Sequence, residues 1–76
     1  MNYIGMDIHK QFTVAVVKDE QGNKLAEEKF TNSEYNFGNF MEKYKPEETK
    51  IVIESTCVLE YIYEILEAKK YEVKLA

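Results

Sequence analysis

The sequence predicts an α/β fold on a mixed five-stranded sheet, with elements in the order β-β-β-α-β-α-β. Three observations carry that prediction. Strand-length apolar runs, broken by a polar turn, fill the first part of the chain. Two later segments space their apolar residues as helices do. Two further short strands, Lys50 to Glu54 and Tyr71 to Leu75, follow the first and second helix respectively.

Each element has its own justification. Tyr3 to Ile8 is short and apolar, and Phe12 to Lys18 is rich in β-branched residues, so both read as strands. Asp19-Glu20-Gln21-Gly22-Asn23 is a turn, with Gly22 free to take positive φ. Lys24 to Thr31 alternates weakly and is highly charged, which suits an exposed edge strand. Thr31-Asn32-Ser33-Glu34 has capping-box spacing. It opens a helix whose Phe37, Phe40, Met41 and Tyr44 recur at i, i+3, i+4 and i+7, and Lys45-Pro46 closes it.

Lys50-Ile51-Val52-Ile53-Glu54 is the near-continuous apolar run of a central parallel strand. Ser55 or Thr56 caps the second helix, striped by Leu59, Ile62 and Leu66. Three antiparallel strands followed by α-β-α-β make up the opening two-thirds of a ribonuclease-H-like fold. The expected strand order is 3-2-1-4-5, with strands 1 and 4 parallel and adjacent. Residues 1–76 thus read as a single partial domain, truncated within a larger one.

Composition narrows the function. A chain of 76 residues with 45% hydrophobic and 13% aromatic content folds as one small domain of modest stability. Its 14 acidic and 10 basic residues leave a net charge of −4, which argues against this piece holding nucleic acid alone. Cys57 is the single cysteine, so no internal disulfide forms and a reducing, cytoplasmic setting is expected. No transmembrane run or signal peptide is visible, and no membrane partner is expected.

One residue interrupts the apolar pattern. Asp7 stands near the end of the first strand, and a lone buried charge is costly unless something compensates it. With strands 1 and 4 as neighbours about 4.8 Å apart, Glu54 is the natural companion. Ligands of open α/β sheets gather outside such strand ends. Paired carboxylates repel unless a cation lies between them, and Mg²⁺ or Mn²⁺ prefers oxygen ligands of this kind. Paired metals of this sort serve phosphodiester cleavage. Asp7 and Glu54 are therefore candidate catalytic and metal-binding residues. Simpler readings account for the same residues: Asp7 pairing with Lys10 or with backbone amides of its turn, and Glu54 as a solvated strand end or helix-start charge.

Certain stretches are more specific. "YIGMDIHKQFTVAVV" and "IVIESTCVLEYIYEILEAKKYEVKLA" resemble the N-terminal RuvC-like domain of the DEDD transposases of the insertion-sequence-110 family. The likeness rests on Gly5, Asp7 and Lys10 in Gly-x-Asp-x-x-Lys, on Ile53 to Thr56 as hydrophobic-Glu-Ser-Thr, and on Tyr71 to Ala76. It implies a Mg²⁺-dependent recombinase that cuts and rejoins DNA under the direction of a guide RNA. Asp7 then matches the first D of the four-carboxylate set and Glu54 its E. The other two aspartates and the family's serine-bearing domain are absent from these residues, which implies a piece inactive by itself. Cys57 and the Lys69-Lys70 pair depart from the family's glycines.

The remaining signals are weaker. Lys10 beside the carboxylates, and the helix start at Thr56, are candidate nucleic-acid contacts, set against a plain surface lysine and an ordinary cap. His9 reads as a turn residue rather than a ligand, and a His9/Cys57 thiol site lacks an orienting third group. Tyr61 and Tyr63 are candidate exposed aromatics, and the last strand is an edge open to pairing. Two rival functions follow: a non-catalytic module that binds a protein or forms a homodimer through that edge or an exposed apolar surface, and the N-terminal part of an actin-like kinase or ATPase. Against the latter, Asp7-Ile8-His9-Lys10 lacks the glycines of a phosphate-cradling turn.

Overall fold

Alternation of buried and more exposed residues organises the sheet. The computed structural model describes residues 1–55 and 60–76, without the side chains of Ser55, Glu60 and Tyr61. The strands are β1 (Asn2–Ile8), β2 (Phe12–Lys18), β3 (Lys24–Thr31), β4 (Thr49–Ser55) and β5 (Glu72–Leu75). Helix α1 (Glu34–Met41) precedes β4, and α2 (Glu60–Ala68) precedes β5. The sheet has the expected order β3-β2-β1-β4-β5. β1 runs antiparallel to β2 and parallel to β4, as anticipated. The architecture is α/β and compatible with a ribonuclease-H-like arrangement.

Because β residues alternate between faces, every second residue of the central strands points into the core. Ile4, Met6 and Ile8 of β1, Ala15 and Val17 of β2, and Ile51 and Ile53 of β4 are all buried. Phe37, Phe40 and Met41 of α1 and Ile62 and Leu66 of α2 complete one cluster with them. Phe30 of β3 meets Phe37 edge-on at 4.9 Å between ring centroids. A T-shaped pair of this sort adds to simple area burial.

The helix ends differ from the sequence expectation. Ser33, not Thr31, caps α1: its hydroxyl accepts the Asn36 N–H at 3.0 Å. The helix also stops at Met41 rather than at Lys45. Its last turn tightens, with Lys43 and Tyr44 N–H donating to the Phe40 and Met41 carbonyls three residues back. Tyr44 nevertheless packs against the core, because its ring lies 5.4 Å from that of Phe40. The buried Tyr71 hydroxyl secures this region by donating towards the Met41 and Tyr44 carbonyls.

Helix α2 ends in a Schellman motif. Lys70 N–H donates to Glu67 O at 2.9 Å, and Tyr71 N–H donates to Leu66 O at 3.1 Å. The motif needs a left-handed residue, and Lys70 supplies it at φ 72° where glycine is usual. The β2–β3 turn is better matched: Gly22 takes φ 86°, and the Asp19 carboxylate accepts from the Gln21 and Asn23 amides. The Asn23 bond, first among several, holds the Asp19 carboxyl below its ordinary range. The proposed helix cap at Thr56, together with Cys57 and Leu59, lies outside the described residues.

Candidate metal centre

The opposite face of the sheet has no helix over it among the described elements. There the alternate residues of the same strands form three rows. Lys18, Tyr3 and Lys50 share one register level. Val16, Gly5 and Val52 share the next, followed by Val14, Asp7 and Glu54. All of these but Lys50 line an open depression of about 540 Å³.

This placement corrects the premise of a buried charge. The Asp7 side chain is 60% exposed, so water rather than a burial partner solvates it. β1 is apolar on its core face, and Asp7 belongs to the other one. The expected companion is nevertheless beside it. Asp7 and Glu54 are register partners across the parallel β1–β4 pair, and both are exposed. Register partners on adjacent strands point to the same side, with backbones about 4.8 Å apart. Two hard oxygen donors therefore lie together at the C-terminal end of the two central parallel strands.

Asp7 does not pair with Lys10. Its carboxylate Oδ2 is 3.2 Å from His9 Nε2. His9 lies just past the end of β1, in the turn where the sequence places it, and its ring turns back to the Asp7 side chain. Lys10 follows in the exposed bend between β1 and β2. Thr56, the second candidate nucleic-acid contact, lies outside the described residues.

Donor chemistry suits a divalent cation in part. Two neighbouring carboxylates can begin a Mg²⁺ site in which water fills the other positions. Among the described residues no group of three or more His, Cys, Asp or Glu forms a fuller ligand set.

Comparison with known proteins now bears on these positions. Residues 4–76 match the family model of the insertion-sequence-110 DEDD transposases, described as transposase. The chain belongs to that family. Asp7 and Glu54 both lie within the matched span. No curated protein matches the sequence. Among solved structures the chain is similar to a Bacteroides thetaiotaomicron protein with an actin-like ATPase fold and unknown function. The TM-score is 0.65 at 17% identity, over 99% of this chain and 32% of the other. At that identity the likeness concerns the fold alone. The chain thus spans about a third of that protein's length. No helix among the described residues is long and apolar enough to cross a membrane.

Proposed function

We propose that this chain forms the N-terminal part of the RuvC-like catalytic domain of a transposase that cuts and rejoins DNA. The observation that carries the reading is the register pairing of Asp7 with Glu54 at the ends of two parallel strands. In this reading the two carboxylates hold Mg²⁺ or Mn²⁺ together with water. The ion supplies Lewis-acid activation of phosphodiester oxygens. In the same reading Lys10 and Thr56 contact nucleic-acid phosphates. The cytoplasmic DNA target and a guide RNA belong to the intact parent, and further carboxylates outside these residues complete the site. The chain alone binds metal weakly and does not cut DNA.

A Mn²⁺ titration followed by amide NMR tests this. Paramagnetic broadening centred on Asp7 and Glu54 at millimolar metal is expected, and Asp7→Asn should abolish it. Broadening spread evenly over the surface carboxylates would overturn the metal reading.

The charge rows favour a second reading, a module that self-associates through its open face. Basic Lys18 and Lys50 lie at one end of an apolar band, and acidic Asp7 and Glu54 at the other. A second copy laid face to face with its strands reversed sets Lys50 against Glu54, with Val16 and Val52 between. Light scattering distinguishes the readings. A dimer broken by Lys50→Glu and restored by adding Glu54→Lys would favour this module. A monomer at every concentration would dismiss it.

A further inference from the structure

We propose that His9 is a positioning residue that holds the Asp7 carboxylate in one orientation, with Phe12 and Asn32 holding His9 in turn. The inference deepens the metal-site reading, and rests on it for what the oriented carboxylate then binds. A solvated aspartate at a strand end ordinarily samples several rotamers. Asp7 is as exposed as that, yet its Oδ2 is engaged by His9 Nε2 at 3.2 Å. A carboxylate only accepts, so Nε2 is the nitrogen that carries the hydrogen. One carboxylate oxygen is thereby committed to the imidazole, and Oδ1 stays outside that bond.

The imidazole is itself restrained. Its ring stacks on Phe12 with centroids 4.6 Å apart and planes 25° from parallel. The Lys29 ammonium lies 4.3 Å from the centre of the same Phe12 ring, fixing that ring by a cation–π contact. Backbone bonds hold the bend beneath. His9 N–H donates to Phe12 O at 2.8 Å, and His9 O accepts from Asn32 Nδ2 at 2.6 Å. Asn32 is oriented by the Thr13 hydroxyl, which donates to its Oδ1 at 2.6 Å. Thr13 is fully buried. Asn32 N–H also donates to Gln11 O at 2.9 Å, so the end of β3 closes over the β1–β2 bend. A continuous path therefore runs from a core hydroxyl through Asn32 and His9 to the carboxylate. A plain surface histidine would need none of it. Hydrogen bonds of this outer kind orient ligating carboxylates and raise metal affinity.

The test reads Asp7 directly, in metal-free protein. Three-bond couplings from the Asp7 carboxyl carbon to backbone nitrogen and carbonyl report its χ1. A single staggered rotamer is expected for the natural sequence. His9→Phe keeps a ring on Phe12 but removes the donor, and should give averaged couplings. His9→Gln restores an amide donor and should recover the single rotamer. His9 is partly exposed, and amide dispersion checks that each variant folds. Mn²⁺ affinity should fall roughly 10–100-fold in His9→Phe and return in His9→Gln. Averaged couplings in the natural sequence, or couplings unchanged by His9→Phe, would overturn the proposal even where Mn²⁺ binds. Ordered couplings that collapse in His9→Phe uphold it, and if Mn²⁺ then fails to bind, only the metal reading falls.

Discussion

The two faces of one sheet differ more than any two elements of this molecule. On one, Ile4, Met6, Ala15, Val17 and Ile51 are almost wholly buried beneath α1 and α2. On the other, residues one step along the same strands include Tyr3 at 41% and Val52 at 37% exposure, with Asp7 and Glu54 in water. The covered face carries the stability, because apolar area removed from water is the main favourable contribution to folding. The open face carries the exposed carboxylates. Charges that would be costly inside are tolerated there, and Asp7 therefore needs no burial partner.

Substitutions across the two faces should differ accordingly. The largest loss is expected from Phe37→Ala, which empties the centre of the covered face and should cost about 3–5 kcal/mol. For a domain of this size that rivals the entire stability, so the cooperative urea transition should vanish. If Phe37→Ala instead leaves a sharp transition, the covered face is not the main source of stability.

Next comes Tyr71→Phe. Removing the hydroxyl between the Met41 and Tyr44 carbonyls should cost about 1–3 kcal/mol. It also sharpens the comparison through pH. Burial, and secondarily Glu47, push the Tyr71 phenol above its ordinary value of 10.0. A phenol with a raised folded value favours the protonated, folded state. Its contribution is complete below the unfolded value and is lost as pH rises through the folded one. Stability followed by circular dichroism above about pH 10 should fall more steeply in the natural protein than in Tyr71→Phe.

A smaller effect, and of opposite sign, is expected at the end of α2. Lys70→Gly relieves a left-handed lysine in the Schellman motif and should raise stability by about 0.5–1 kcal/mol. A denaturation midpoint that falls would show that the lysine side chain contributes more than its backbone strain costs. Smallest of all is Val52→Thr on the open face, expected within about 0.5 kcal/mol of the natural protein. A loss comparable to that of Phe37→Ala would mean that something covers this face in solution.

Much of the fold was legible along the chain, for identifiable reasons. β2 and β3 begin and end where β-branched content and the Asp19-to-Asn23 turn place them. The Asp7 and Glu54 pair was legible too, since strand order and position near the strand ends suffice to bring them together. Other features were not. Ser33 and Thr31 compete for the α1 cap with similar chemistry, and only Ser33 is oriented to accept the Asn36 amide. The continuous apolar run Ile51-Val52-Ile53 reads as buried on both sides, yet Val52 faces the open side. His9 lies past the end of β1, where strand periodicity no longer sets its direction; its ring stacks on Phe12, and its carbonyl is tied to Asn32, distant along the chain.

The sequence by itself determined which segments become strands and helices, and that two carboxylates end neighbouring strands. Those properties depend on local periodicity and turn chemistry, which neighbouring residues set. Only the tertiary structure decided which face of the sheet the helices cover, and hence that Asp7 meets water and His9 instead of a buried partner. Period two divides a strand's residues into two sets. Which set is covered depends on where the connections carry the helices, a relation between residues distant in sequence.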